Sequence, residues 1–180
     1  MAMRVSDEER TWVARAREGD REAIGQLWDA YTPKLYGFLV HTTRDPDLEN
    51  DLTQRTWLKC LNALPTYRDR GHAFGAWLFA IARNECQQHW RTSNREVPLD
   101  LEQHDVPDRD RRPTAEAKDI VERAMVHLRD EEQELLRLRY IADLPVKHIA
   151  HILGISAVAA AVRIHRAQRR MRLVLERGHV

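Results

Sequence analysis

A stretch of 21 residues without helical periodicity divides this chain of 180 residues. Residues 93–113 read SNREVPLDLEQHDVPDRDRRP, and their three prolines and many charges are typical of an extended connection between domains. Apolar residues recur at helical spacing on both sides of this stretch, and strand-like alternation is scarce. The sequence therefore predicts an all-α protein of two small helical domains, at residues 1–92 and 114–180, joined by an extended acidic linker.

Composition excludes several other classes of protein. Charged residues make up 32% and hydrophobic residues 43%, unlike a disordered chain or a collagen. No run of eighteen apolar residues is present, and the N-terminus lacks the apolar segment of a signal peptide. Two cysteines, Cys60 and Cys86, cannot build a disulfide framework and fit a reducing compartment. We therefore expect a cytoplasmic protein.

The formal net charge of +1 conceals an uneven distribution. Residues 1–98 are neutral overall, residues 99–116 carry −3 and residues 117–180 carry +4. Between Arg163 and Arg177 there are six arginines and one acidic residue. A charge run is more often a solvated helix face, but the guanidinium fork matches phosphate oxygens. The pattern favours a second domain that faces a polyanion.

Four helices are predicted in the N-terminal domain. Ser6, Asp20 and Asp45 are suitable N-cap residues for the first three, because a short polar side chain accepts hydrogen bonds from the first helical turn. Pro33 is expected to interrupt and bend the second helix, since proline lacks a backbone N–H. The fourth helix is predicted over about residues 73–91.

The third of these helices, predicted to end near Leu64, has two different faces. Its apolar side is expected to direct four leucines inward, namely Leu48, Leu52, Leu58 and Leu61. The polar side bears Asp51, Gln54 and Arg55, and ordinary solvation is enough to explain that side on its own.

The loop at residues 66–72 and the fourth helix combine basic, aromatic and amide side chains. Stacking on aromatic rings together with hydrogen bonds from amides is what binding of single-stranded nucleic acid requires. The candidate residues are Tyr67, Arg68, Arg70, His72, Arg83, Asn84, Gln87, Gln88 and Arg91. The alternative is an ordinary polar helix face; Trp77 lies on the apolar stripe and fits the core, whereas Trp90 fits either role.

The C-terminal domain has the pattern of a helix-turn-helix unit. Asp130 with Gln133 resembles a capping box. Pro145 precedes a short helix that Gly154 can end, and Ser156 can cap a long helix that follows to about residue 176. A short helix, a turn with glycine and an arginine-bearing helix form the DNA-binding pattern, although other three-helix bundles look similar.

Four segments together resemble one family. They are GDREAIGQLWDAYTPKLYGFL, DLENDLTQRTWLKCLNAL, FGAWLFAIARNECQQHWR and LRDEEQELLRLRYIADLPVKHIAHILGI. The first three resemble the N-terminal domain of the extracytoplasmic-function (ECF) sigma factors, the third through its A-W-L-x-x-I-A-R-N stretch. The fourth resembles their helix-turn-helix.

This resemblance implies a promoter-recognition subunit of bacterial RNA polymerase, with catalysis left to the polymerase and no cofactor or metal. The third helix would bind the polymerase core through Asp51, Gln54, Arg55 and Leu58. The nine candidates above would melt the minus-ten element and hold its non-template strand, and the linker would thread the polymerase channel. The helix-turn-helix would bind the minus-thirty-five element through Lys147, His148, Ser156, Ala157, Ala159, Ala160, Arg163 and Arg166. An anti-sigma factor or another regulator is expected as a further partner.

Two departures from the family pattern concern the expected contacts. Arg55 stands where the family usually has an acidic residue. In the recognition helix, Ala159, Ala161 and Val162 replace the usual Thr, Lys and Ser, so side chains that read base edges by hydrogen bonds are scarce. The sequence therefore predicts duplex binding with strong salt dependence and weak base discrimination.

Two rival interpretations remain. A helix-turn-helix regulator without polymerase contact would leave the A-W-L-x-x-I-A-R-N stretch unexplained. An enzyme would need a motif such as H-E-x-x-H or C-x-x-C, and none is present. His148 and His151 are spaced like metal ligands, but we expect both at the surface beside apolar neighbours.

Overall fold

The computed structural model describes residues 7–43, 45–69, 73–93 and 115–177. These residues form α-helices, short 3-10 and π turns and connecting loops, without a strand, which confirms the all-α class. The N-terminal helices are α1 (Asp7–Arg17), α2 (Arg21–Thr43), α3 (Pro46–Ala63) and α4 (Phe74–Ser93). The C-terminal helices are α5 (Ala115–Val126), α6 (Asp130–Leu136), α7 (Val146–Leu153) and α8 (Ala157–Glu176). A 3-10 turn at Leu64–Thr66 follows α3, and a π turn at Arg137–Ile141 continues α6.

Some expectations fall outside the described residues. They concern the cap at Ser6, the loop residues Arg70 and His72, and the predicted linker apart from Ser93, which ends α4. The domain boundaries at residues 92 and 114 therefore stay predictions.

Three helix starts follow from local side-chain chemistry as expected. Asp20 Oδ1 accepts from the backbone N–H groups of residues 22 and 23 at 2.9 and 3.2 Å. Asp45 Oδ1 accepts from those of residues 47 and 48 at 3.0 and 3.2 Å. Ser156 Oγ accepts from the N–H of Ala159 at 3.1 Å. These contacts satisfy donors that a helix start would otherwise leave unpaired.

Three local expectations are wrong. Helix α2 continues unbroken through Pro33, because its buried side chains on either side hold both halves against the core. Helix α6 begins after Arg129, whose N–H donates to Glu132 Oε2 at 3.1 Å, one residue before the predicted pair Asp130 and Gln133, and its guanidinium has no acceptor that could complete a capping box. Leu58 is 62% exposed, since it lies off the side of α3 that packs on the core.

Aromatic side chains build the centre of the N-terminal helices. Phe74 at the start of α4 contacts Tyr31 with ring centroids 5.3 Å apart, and Trp77 lies 5.7 Å away. The backbone of α4 approaches the same tyrosine at Gly75, where a Cβ atom would lie 2.7 Å from Tyr31 Cε1. Glycine therefore lets the first turn of α4 pack directly on α2.

The C-terminal helices pack against the N-terminal ones. A Cβ on Gly37 of α2 would lie 3.2 Å from Ile141 Cγ2, so the π turn sits close to the α2 backbone. Lys34 Nζ lies 3.5 Å from Asp143 Oδ2 in the following loop. The hydrophobic core of the N-terminal helices continues into C-terminal side chains, namely Leu135, Leu138, Ala142, Leu144, Ile149 and Ile164.

Within the described residues no single helix is long and apolar enough to cross a membrane. Helices α7 and α8 reach the required length and composition only when counted together, and they meet at 103°.

Candidate nucleic-acid and polymerase interface

The outer face of α4 presents polar side chains to solvent. Asn84, Gln88, Arg91 and Thr92 line a shallow depression along it, and the first three are exposed. The Arg91 Nε atom donates to the backbone oxygen of Gln87 at 3.2 Å, which holds the guanidinium along the helix. Donors, acceptors and a cation therefore share one exposed face, as a nucleic-acid strand requires.

Trp77 and Trp90 have different positions on the same helix. Trp77 is half-buried and packs against the core, as its place on the apolar stripe predicted. Trp90 is 41% exposed and lies two residues after Gln88, on another side of the helix, so its ring is accessible for stacking.

Tyr67, predicted to contact DNA, is buried. Its ring packs 4.6 Å from Trp77 and 6.1 Å from Phe74, which leaves it 8% exposed. Burial raises the pKa of its hydroxyl to about 12. Aromatic packing therefore makes Tyr67 a support for the loop rather than a surface contact, and Arg68 is the exposed cation beside it.

Arg83 is engaged by the C-terminal helices. Its Nε atom donates to Glu134 Oε1 at 2.7 Å and its Nη2 atom to Oε2 at 3.4 Å. The Gln87 side-chain oxygen, turned towards the guanidinium, accepts from both terminal nitrogens at 3.0 Å. Helix α6 thus occupies one edge of the face predicted to hold the minus-ten strand.

The polar side of α3 lies next to this face. Asp51 and Arg55 form an ion pair within the helix, with Arg55 Nε donating to Asp51 Oδ1 at 2.9 Å. Gln54 and Leu58 beside them are exposed. Arg55, which replaces the acidic residue usual in the family, therefore pairs with the Asp51 carboxylate, which would otherwise face outward alone.

A second depression connects α3 and α4. Its lining includes Arg55 and Lys59 of α3, and it shares Gln88 and Thr92 with the depression on α4. Lys59 is paired with the buried carboxylate of Glu85 across the two helices. The predicted polymerase contact and the predicted strand contact thus form one continuous surface.

The turn between α7 and α8 has the geometry that its sequence predicts. Gly154 adopts a left-handed conformation with φ of 65°, which ends α7, and Ser156 caps α8. Glu132 anchors the recognition helix, because its carboxylate accepts from Arg129 and from Arg170, each at 3.0 Å. The hydrogen bond from Arg129 is the main cause that lowers the pKa of this buried carboxyl.

Five of the predicted minus-thirty-five contacts are exposed at this unit: Lys147, Ser156, Ala157, Arg163 and Arg166. Ala160 is fully buried and Ala159 half-buried, because both lie towards the side of α8 that packs on the C-terminal core. The sequence interpretation missed Val158, which is 75% exposed. The spacing of Ala160, Ile164 and Ala167 marks the buried side and would have identified it.

His148, predicted at the surface and as a DNA contact, is buried at 1% exposure. Its Nε2 atom accepts from the backbone N–H of Ala73 at 3.5 Å, so it lies between α7 and the start of α4. His151 is exposed. The two histidines therefore differ in exposure, and the described part of the chain contains no cluster of three or more His, Cys, Asp or Glu side chains able to hold a metal ion.

The sequence matches two family profiles over most of its length. Residues 27–96 match Sigma-70 region 2 and residues 118–171 match Sigma-70, region 4. The ECF RNA polymerase sigma factor ShbA of Streptomyces griseus is 33% identical over 179 residues, covering 91% of this chain and 93% of that protein. The ECF RNA polymerase sigma factor BldN of Streptomyces coelicolor is 28% identical over 169 residues, covering 91% of this chain and 64% of that protein.

A solved structure shares the fold. It contains the sigma factor RpoE in complex with the anti-sigma factor NepR from Bartonella quintana, with a TM-score of 0.72 and 22% identity. The match covers 86% of this chain and 98% of that one.

The two matched regions, in this order, define a promoter-recognition subunit of the sigma-70 type. Within that class, the chain belongs to the ECF sigma factors. It is an initiation factor that binds bacterial RNA polymerase and directs promoter-specific transcription.

Proposed function

We propose that α3 binds the polymerase core, that α4 opens the minus-ten element and holds its non-template strand, and that the helix-turn-helix grips the minus-thirty-five element. One observation supports these roles for α3 and α4. The exposed polar face of α4 continues into the polar side of α3, because Gln88 and Thr92 line both depressions. A strand leaving the duplex at α4 would thus lie directly beside the polymerase.

On α3, Gln54 and Leu58 are the residues best placed for docking, because both are exposed and neither supports the core. Asp51 would contribute through its ion pair with Arg55, which presents a neutral pair where the family usually presents acidic residues. The docking surface of this chain is therefore less negative than the family pattern.

On α4, the amides of Asn84 and Gln88 would hydrogen-bond with unpaired bases, Trp90 would stack on one of them, and Arg91 would hold the backbone. Arg83 joins this face only after it leaves Glu134. Strand binding and the ion pair that joins α6 to α4 therefore compete for one guanidinium.

At the helix-turn-helix, Lys147, Arg163 and Arg166 would hold phosphates, since all three are exposed cations beside the start of α8. Promoter discrimination would then rest mainly on the minus-ten element. The linker at residues 93–113 would pass through the polymerase between the two DNA contacts.

We further propose a cytoplasmic chain that performs no catalysis, the reaction belonging to the polymerase. An anti-sigma factor is the regulator most consistent with the fold, because RpoE with the same fold is seen in complex with one. Such a partner would act by favouring the packed arrangement, in which Glu134 holds Arg83.

Titration of labelled chain with purified core polymerase tests the docking assignment. Replacing Gln54 and Leu58 together by alanine should weaken core binding at least tenfold with unchanged thermal stability, because both side chains are exposed. Replacing Arg21, an exposed residue at the start of α2, by alanine is the matched control. Equal affinity of the double variant and the control would place the contact elsewhere.

A further inference from the structure

The exposed side of the first two turns of α8 consists of methyl groups. Val158 is 75% exposed and Val162 43% exposed, and Ala157 and Ala161 are exposed beside them. These four residues are named the methyl face. None of their side chains has a hydrogen-bond donor or acceptor, so the part of a recognition helix that normally reads base edges is apolar here.

Exposed cations lie on α7 and α8, the two helices of the unit that carries the methyl face. Arg163 and Arg166 are exposed on the next turn of α8, and Lys147 is exposed on α7. The hydroxyl of Ser156, the residue just before the methyl face, accepts a hydrogen bond that caps the helix. An apolar strip with exposed cations on the same helix-turn-helix unit suits a polyanion with an apolar feature between its phosphates, and less well an ordinary protein partner.

We propose that the methyl face reads thymine C5-methyl groups in the major groove of the minus-thirty-five element, an inference that rests on the proposed function of the helix-turn-helix. The thymine methyl is the apolar group that base pairs present in that groove, and alanine and similar side chains contact it. The flanking cations hold phosphates and set the position of α8. A·T base pairs with thymine on the contacted strand are the preferred sequence.

The size of the effect separates this mechanism from hydrogen-bond readout. Removing one buried methyl contact should cost about fourfold in affinity. Losing a bidentate hydrogen-bond pair to a base costs roughly 5- to 150-fold. Readout through methyl groups therefore predicts several small losses of affinity, spread over neighbouring base pairs.

The test uses holoenzyme assembled from the full chain and core polymerase. Promoters are first selected from a duplex library randomised at both elements, and thymines of the selected minus-thirty-five element are then replaced singly by deoxyuridine, which lacks only the methyl group. We expect each contacted thymine to lose about fourfold in affinity. Deoxyuridine in the spacer between the elements should have no effect.

Two variants of α8 assign the effect to the methyl face. Val158→Ser should abolish the difference between thymine and deoxyuridine at one or more of the contacted positions, whereas Leu173→Ser, a 42% exposed residue four turns further along the helix, should preserve it at all of them. Indifference of the wild type to deoxyuridine, or selected G·C pairs whose single changes cost more than tenfold, would overturn methyl readout alone. Failure to select or transcribe any promoter would overturn the proposed function as well.

Discussion

Replacing Glu134 by glutamine should shift the chain from the packed arrangement towards one in which α6 and α4 separate. The change removes the negative charge that receives Arg83 Nε at 2.7 Å and leaves a side chain of the same size. It leaves the apolar contacts between the two groups of helices in place, so any change in packing reports on the ion pair.

The magnitude follows from the exposure of the pair. The side chains of Arg83 and Glu134 are 24% and 28% exposed, between a fully buried and a fully solvated pair. Hydrogen bonds to charged groups contribute about 1.5–3 kcal/mol, and exposed ion pairs about 0–1 kcal/mol. About 1 kcal/mol is reasonable here, which corresponds to about a fivefold rise in the ratio of open to packed molecules.

Energy transfer between two dyes measures that ratio. Cysteines introduced at Arg21 and Arg172, both exposed, place the dyes on α2 and α8. The native thiols should stay unlabelled, since Cys60 and Cys86 are buried and burial raises the pKa of each to about 12.

Glu131→Gln is the matched control, because it removes the same charge from an exposed position of the same helix. We expect lower transfer efficiency for Glu134→Gln than for the control, with the difference shrinking at high salt. Identical efficiencies in the two variants would refute the idea that this ion pair holds the packed arrangement.

Two further predictions concern stability. In thermal unfolding, Gly75→Ala should lower the melting temperature, because its Cβ would lie 2.7 Å from the Tyr31 ring, at a cost of about 1–3 kcal/mol. Gly25→Ala is the control and should be neutral or stabilising, because a Cβ at that position would have nothing within 4 Å. The hydrogen bond from Arg129 is the main cause that lowers the pKa of Glu132 in the folded protein. The Glu132 carboxylate therefore contributes to folding stability at pH values above the ordinary pKa of glutamate, and this contribution is lost as the pH falls through the folded pKa. Glu132→Gln should therefore be less stable at neutral pH and lose less stability in acid, and parallel acid-unfolding curves for the two proteins would contradict this assignment.

Local features were predictable from the sequence because their causes are local. The caps at Asp20, Asp45 and Ser156 each depend on one side chain and the backbone within three residues of it. The same holds for Gly154, whose left-handed conformation suits glycine at a helix end. The helix-turn-helix was therefore identifiable before the structure.

The side chains that the sequence misplaced are buried or paired through contacts with residues far away along the chain. His148 is buried by contact with Ala73, 75 residues away, and the partner of Arg83 is 51 residues away. Sequence spacing carries no information on such pairs. Tyr67 is a different case. Its aromatic neighbours could be seen in the sequence, but the packing of their rings against Tyr67 could not be predicted from it.

Run-off transcription on two templates tests the assignment of α4 most directly. One template is a fully duplex promoter and the other is the same promoter with an unpaired minus-ten region. Asn84→Ala removes an exposed amide from the polar face of α4, and Asn62→Ala removes an exposed amide from α3 as its control. If α4 both opens the duplex and holds its strand, Asn84→Ala should lose roughly tenfold or more in transcript from the duplex template, the loss expected for one amide contact to a base, and should lose clearly less on the unpaired one. Equal activity of both variants on duplex DNA, or an equal loss on both templates, would contradict that role.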